Sequence, residues 1–123
     1  MRILVLGAGA TGGYYGGRLL EAGRDVSFLV RPRRATELAE TGLVIRSPLG
    51  SAKLKPRIIR EGELKESFDL VLLTCKAYDL AAAVEAIAPA MGRKTTVLPL
   101  LNGLQHFDVL DGRFGPDRVL GGL

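Results

Sequence analysis

Short apolar runs alternate with amphipathic stretches along most of the chain. Residues 2–6 (RILVL), 25–30 (DVSFLV) and 69–74 (DLVLLT) are nearly continuous apolar runs, typical of parallel strands buried on both faces. The stretches that follow the first two runs have helical character and are closed by Gly23 and Gly42, where helix C-cap glycines belong. This alternation predicts an α/β fold: a doubly wound, mostly parallel sheet with helices on both faces.

The rest of the chain continues the same pattern with one irregular excursion. Residues 43–46 and 52–59 predict short strands around a turn at 47–50. A helix capped by Asp79 is expected to end at Pro89 and Gly92. The final predicted elements are a strand at 95–101, a short helix at 105–110 and the start of a strand at 118–120.

Composition narrows the class of protein. The chain has 123 residues, of which 47% are hydrophobic and 24% charged, enough for one domain with one core. No apolar run approaches the ~20 residues of a membrane span, so we expect a soluble, cytoplasmic protein without a membrane partner. One cysteine and one histidine exclude an internal disulfide and leave little for a metal site, and none is expected.

Glycine is unusually frequent near the start, where six of the 16 glycines lie between positions 7 and 17. Gly7, Gly9 and Gly12 form a G-x-G-x-x-G pattern, with Ala8, Ala10 and Thr11 between them, directly after the first predicted strand. In that context the glycines allow a tight turn, close backbone approach to a pyrophosphate, and close helix–strand packing. The alternative is a tight turn that binds nothing.

The end of the second predicted strand indicates which dinucleotide would bind. NAD enzymes place a carboxylate there, which accepts hydrogen bonds from the ribose 2′-hydroxyl. Here the residue is Arg31, 19 positions after Gly12, with Arg33 and Arg34 close by. Guanidinium groups favour a 2′-phosphate and therefore predict NADP. The alternative is a set of solvated basic side chains at a helix start, a reading that fits Arg33 and Arg34 better than Arg31.

Two further candidates follow later strands, at the edge where open α/β sheets bind ligands. Lys76, in the segment Thr74-Cys75-Lys76-Ala77-Tyr78, could bond cofactor hydroxyls or a substrate carboxylate, or it could be a solvated loop lysine. Asn102, beside Gly103, could both donate and accept hydrogen bonds, or serve only as a turn residue. Cys75 is interpreted as a buried, inert thiol.

Taken together, these motifs resemble the ketopantoate reductase (2-dehydropantoate 2-reductase) family. The similarity rests on the order and spacing of the glycine motif, Leu29-Val30-Arg31, Thr74-Cys75-Lys76-Ala77-Tyr78 and Leu101-Asn102-Gly103-Leu104. It implies a Rossmann-type domain and NADPH-dependent reduction of a small 2-oxo acid, ketopantoate, in pantothenate biosynthesis. It also implies that the glycine motif, Arg31, Lys76 and Asn102 bind the cofactor and that Asn102 contacts substrate.

Members of that family are longer and carry a helical second domain that supplies the proton donor and most substrate-binding groups. The resemblance therefore implies that residues 1–123 are the NADP-binding domain alone, with no catalytic residue assigned and no turnover expected from the fragment. Apolar surface that would meet the second domain, and a sheet edge near Leu120, predict self-association as a homo-oligomer.

Two other functions stay open. One is the NADP-binding domain of a β-hydroxyacid-type dehydrogenase, which would share the glycine motif but need not share Lys76 and Asn102. The other is a non-catalytic module that senses nucleotides or binds nucleic acid, suggested by the net charge of +4. The basic residues form no stripe interleaved with aromatic residues, so nucleic acid is not the expected partner.

Overall fold

The computed structural model describes residues 1–6, 10–45, 52–60, 62–74, 80–99, 110 and 112–119. The strands are β1 (Arg2–Leu6), β2 (Asp25–Val30), β3 (Leu43–Ile45), β4 (Ala52–Leu54), β5 (Arg57–Arg60), β6 (Phe68–Leu73) and β7 (Met91–Pro99). The helices are α1 (Ala10–Glu21), α2 (Pro32–Thr41) and α3 (Leu80–Ile87), with short 3-10 turns at Ala88–Ala90 and Pro116–Arg118.

Five strands form one parallel sheet in the order β5-β2-β1-β6-β7, and β3 and β4 form a separate antiparallel pair. The chain adds strands on one side of β1 and then crosses to add β6 and β7 on the other. Val119 continues this direction through a single parallel bridge to Val97. The predicted doubly wound parallel α/β sheet is confirmed.

Both faces of the sheet are buried, because alternate residues of each central strand enter different cores. In β1, Ile3 and Val5 belong to a core cluster that includes residues of α1 and α2, whereas Leu4 and Leu6 belong to a cluster that includes residues of α3. Leu4 and Val5 have no solvent-accessible surface. This explains why the strand sequences are continuously apolar and do not alternate with polar residues.

Glycines end the first two helices as the sequence predicts. Gly23 and Gly42 have φ angles of 84° and 75°, in a region that residues with a Cβ rarely adopt. The Gly42 amide also donates to the Leu38 carbonyl at 2.8 Å, which completes the last turn of α2. The helix boundaries at these two points are therefore set by single residues.

The pairing of β6 with β7 begins irregularly and is held by a buried threonine. The register shifts between Phe68 and Leu70, and Phe68 joins the core on the α3 face. The Thr95 hydroxyl donates to the Phe68 carbonyl at 2.5 Å and accepts from the Gly92 amide at 2.8 Å. Thr95 thus satisfies backbone groups where the regular ladder is interrupted.

Some predicted boundaries are wrong. The single strand expected at 52–59 is divided, since β4 pairs with β3 and β5 joins the main sheet beside β2. Pro56 lies between them, and a proline has no N–H to offer a sheet ladder. The strand expected at 95–101 begins earlier, at Met91, so Gly92 lies within β7 and does not end a helix.

The elements predicted near the C-terminus are confirmed only in part. Arg118 belongs to a 3-10 turn and not to a strand, and only Val119 makes a sheet-like bridge. The turn predicted at 47–50, the Asp79 cap, most of the predicted 105–110 helix and Leu120 lie outside the described residues.

Charged side chains form a network where the strands start, at the amino edge of the sheet. The Arg2 guanidinium lies 2.8 Å from one Glu66 oxygen, and the Arg57 guanidinium lies 2.5 Å from the other. The Arg2 backbone amide also donates to Asp69 at 2.7 Å. The hydrogen bond from Arg2, followed by the Coulomb attraction of both arginines, holds the pKa of Glu66 below its ordinary value near 4.5.

We expect Glu66→Gln to lower the free energy of unfolding at neutral pH, because the neutral amide does not attract the two guanidinium groups. The native carboxylate has the lower pKa, so its contribution is complete above its ordinary pKa and disappears as the pH falls through the native value. Urea titrations of both proteins between about pH 3 and 7 should therefore converge at the acidic end.

Glu63→Gln is the matched control, because Glu63 is exposed and pairs with no cation among the described residues. That variant should follow the wild-type curve throughout. A gap between wild type and Glu66→Gln that stays constant down to the lowest pH would contradict the role assigned to the Glu66 charge.

Candidate functional site

Three adjacent strands end at the carboxyl edge of the sheet, and predicted site residues follow each of them. The strands β2, β1 and β6 are neighbours and parallel, so Val30, Leu6 and Leu73 lie at the same edge. The connection after β1 leads to β2 on one side, while β6 lies on the other side. In open α/β sheets such a switch point is where ligands bind.

The glycine motif spans the junction between β1 and α1. Ala10, Thr11 and Gly12 belong to the first turn of α1, so the helix begins inside the motif. Gly7, Ala8 and Gly9 lie outside the described residues. The prediction that the motif follows a buried strand and opens a helix is confirmed. Its role in binding a dinucleotide stays a prediction.

Gly16 is the point of close approach between α1 and the sheet. A Cβ at this position would lie 2.7 Å from Cζ of Phe28 and 3.0 Å from Cγ2 of Val5. Both side chains are fully buried, so neither can swing into solvent. Gly16, one helical turn after the third glycine of the motif, therefore allows α1 to pack closely against the sheet.

Arg31 stands between the end of β2 and the start of α2. Its backbone is extended, with φ −68° and ψ 153°, and its carbonyl accepts a hydrogen bond from the Ala35 amide at 3.0 Å. Arg31 is exposed at the edge where β1 and β2 end. The chain thus places a guanidinium-bearing residue next in sequence to the strand beside the glycine motif.

The two neighbouring arginines are engaged with one carboxylate. Arg34 lies 3.1 Å from Glu37, and Arg33 lies 3.8 Å from the other oxygen of the same side chain. These are exposed i,i+3 and i,i+4 pairs on α2, of a kind that contributes little to stability. The structure therefore agrees with the interpretation of Arg33 and Arg34 as residues of a charged helix surface.

Thr74 joins the ends of β1 and β6. Its hydroxyl donates to the Leu6 carbonyl at 2.6 Å, across 68 residues of sequence. Sequence reasoning quoted Thr74 within the segment that carries Lys76 but assigned it no role. A hydroxyl residue at the end of a buried apolar run is a sequence signal for such a bond. Lys76 and Asn102 lie outside the described residues.

At the other end of α1, away from the glycine motif, Arg18 interacts with residues of its own helix. The Arg18 guanidinium donates to Glu21 at 2.7 Å and lies 5.4 Å from the centre of the Tyr14 ring. The hydrogen bond to Glu21 is the main reason that the pKa of Arg18 lies above its ordinary value.

Within the described ranges, no three His, Cys, Asp or Glu side chains are grouped as metal ligands would be. No helix in the same ranges is long and apolar enough to span a bilayer.

Comparisons with known proteins place this arrangement in context. A family model described as ketopantoate reductase PanE/ApbA matches residues 3–123. An uncharacterized oxidoreductase of Bacillus subtilis (strain 168), YkpB, is 46% identical over 123 residues, which are all of this chain and 40% of that protein. This chain therefore spans less than half of the length of that relative.

Solved structures share the fold. The crystal structure of 2-dehydropantoate 2-reductase from Geobacter metallireducens GS-15 is 37% identical, with a TM-score of 0.89, over 97% of this chain and 40% of the other. A D-mandelate dehydrogenase solved with NADH and anilino(oxo)acetate is 27% identical, with a TM-score of 0.88, over 97% and 39% of the two chains.

The contact at Gly16 predicts an unusual cost for a small substitution. Gly16→Ala should destabilise the protein by about 1–3 kcal/mol, because crowding of Phe28 outweighs the ordinary gain of alanine in a helix. Thermal and urea unfolding would measure the change. Gly112→Ala is the control, since a Cβ there would meet nothing within 4 Å. Equal stability of the two variants would contradict the close-packing interpretation.

Proposed function

Because this chain belongs to the ketopantoate reductase family, we propose that it is the dinucleotide-binding part of an NADPH-dependent reductase of a small 2-oxo acid. The observation that carries the proposal is the arrangement of β1, β2 and β6, whose adjacent ends precede the glycine motif, Arg31 and the segment containing Lys76. The proposed substrate is ketopantoate, which is reduced to pantoate in pantothenate biosynthesis.

The donor set fits a dinucleotide phosphate. The first turn of α1 presents backbone N–H groups that have no acceptor within the helix, and the helix dipole adds partial positive charge. Exposed Arg31 adds a permanent positive charge near the end of β2, beside β1. Position 31 holds an arginine where NAD enzymes hold a carboxylate, and a guanidinium group attracts a 2′-phosphate.

In the proposed reaction the bound nicotinamide supplies a hydride to the ketone carbon. The chain's own residues bind and orient the reactants. The glycine motif, from Gly7 to Gly12, would hold the pyrophosphate, and Arg31 would hold the 2′-phosphate. Lys76 would hydrogen bond to the cofactor, and Asn102 would contact both cofactor and substrate.

A second candidate uses NADH. It is favoured by the likeness to the D-mandelate dehydrogenase that was solved with NADH and anilino(oxo)acetate. In that case the chain would be the cofactor domain of an enzyme for a different 2-oxo acid, and Arg31 would be only a surface residue at the start of α2. The relative affinities for NADPH and NADH separate the two candidates.

We expect this chain to bind NADPH more tightly than NADH, and Arg31→Ala to remove most of that preference. A hydrogen bond between charged groups contributes ~1.5–3 kcal/mol, so the ratio of the two affinities should fall roughly 10- to 100-fold. Titration calorimetry with each nucleotide would give both dissociation constants.

Arg33→Ala is the matched control for charge. The Arg33 side chain is 95% exposed, and its ion pair with Glu37 is long, at 3.8 Å. Its removal should therefore change the preference for NADPH over NADH by no more than about threefold. Equal affinities of the unmodified protein for NADPH and NADH would reject the NADPH assignment and favour the second candidate.

The proposal also assigns cofactor binding and proton donation to different domains of the enzyme. Residues 1–123 would form one NADP-binding domain, and the proton donor would belong to a helical domain typical of the longer family members. Hydride addition leaves an alkoxide that must be protonated. Lys76 is assigned to the cofactor, and no residue of this chain is assigned the role of protonating that alkoxide.

We therefore expect the 123-residue chain to bind NADPH without oxidising it when ketopantoate is added. Loss of NADPH absorbance would be followed with excess ketopantoate, and a full-length family member would serve as the positive control. Turnover clearly above background by purified chain would show that the proton is supplied from within these residues.

We also propose that the partner of this chain is a small molecule, not nucleic acid or a membrane, and that its compartment is the cytoplasm. Self-association of the 123-residue chain into a homo-oligomer is part of the same proposal, and size-exclusion chromatography with light scattering would test it.

A further inference from the structure

We propose that Thr74 is a positioning residue for the dinucleotide site and acts through its hydrogen bond to Leu6. The inference rests on the proposed function, because it concerns how the glycine motif is held for binding. Thr74 itself need not touch the cofactor. Its hydroxyl sets the direction in which the chain leaves β1.

The bond continues the sheet beyond its last regular pair. Leu6 and Leu73 are the final paired residues of β1 and β6, and Thr74 is one residue further on. There the side-chain hydroxyl of Thr74 donates to the Leu6 carbonyl, at 2.6 Å. The two strand ends are thus joined one step closer to the glycine motif than the backbone ladder reaches.

The acceptor is well placed to transmit this constraint. The Leu6 carbonyl belongs to the planar peptide bond that joins Leu6 to Gly7, so fixing its oxygen also fixes the orientation of the Gly7 nitrogen. Gly7 is the first glycine of the motif that is proposed to bind the pyrophosphate. A change in the orientation of this peptide plane would therefore change the direction in which the chain enters the proposed site.

Burial makes the bond difficult to replace. Leu6 is 6% exposed and Leu73 is fully buried, so water has limited access to the carbonyl if the hydroxyl is removed. Thr74 also lies two residues before Lys76, so the same bond ties the Lys76 segment to the end of β1. Two segments proposed to contact the cofactor therefore share one anchor.

A second threonine in the same sheet provides a matched control. Thr95 also donates its hydroxyl to a backbone carbonyl, that of Phe68, but at the amino edge of the sheet. A valine at either position keeps the branched shape and removes the hydroxyl. Both substitutions should lower stability, and only the one at the carboxyl edge should also affect dinucleotide binding.

The experiment is to titrate NADPH into wild type, Thr74→Val, Thr74→Ser and Thr95→Val, with a thermal melt of each protein. We expect Thr74→Val to weaken NADPH binding roughly three- to tenfold, the effect of one lost neutral hydrogen bond, and Thr74→Ser to stay within about twofold of wild type. Thr95→Val should lower the melting temperature and leave the dissociation constant unchanged.

The outcomes separate this inference from the proposed function. If wild type binds neither NADPH nor NADH, the proposed function fails and the role of Thr74 fails with it. If wild type binds and Thr74→Val binds equally well, only the role of Thr74 is rejected. If Thr95→Val weakened NADPH binding as much as Thr74→Val, general destabilisation would explain both results. The role of Thr74 would then also be rejected.

A further variant covers the case in which Thr74→Val does not fold. Thr74→Cys replaces the hydroxyl with a thiol, which is a weaker donor. We expect its NADPH affinity to lie between those of wild type and a variant without a donor. Wild-type affinity in Thr74→Cys would overturn the proposal.

Discussion

The enclosure of β1 is the constraint on which the remainder of the structure depends. This strand is paired with β2 on one side and β6 on the other, and both of its faces are packed. The chain can therefore leave only at the end of the strand. Three residues separate Leu6 from the first residue of α1. A reversal this short requires small residues, and Gly16 then lets the helix lie against the sheet.

The two edges of the sheet have different electrostatic roles. At the amino edge, Arg2 and Arg57 both form ion pairs with Glu66. At the carboxyl edge, an exposed arginine and the first turn of α1 follow adjacent strands. The ionic network and the groups suited to bind an anion are thus separated by the length of the strands. A change in one need not disturb the other.

Local sequence signals were sufficient where one residue decides the structure. The ends of α1 and α2 follow from Gly23 and Gly42, and β2 spans the predicted range. Local sequence signals did not predict the structure where it depends on pairing between segments that are distant in sequence. Whether residues 52–59 form one strand depends on which strands they meet, and local pattern cannot report that. The bond from Thr74 to Leu6 likewise spans 68 residues, and only the assembled sheet brings its partners together.

The position of Met1 has a practical consequence. It precedes the first residue of β1 and is 81% exposed, so the chain start projects from the edge that holds the ionic network. A peptide tag or a biotin attached there would extend away from the glycine motif. In protein captured on a sensor surface through this end, the carboxyl ends of the strands would face the solution. Small molecules could reach that edge of the sheet without passing the support.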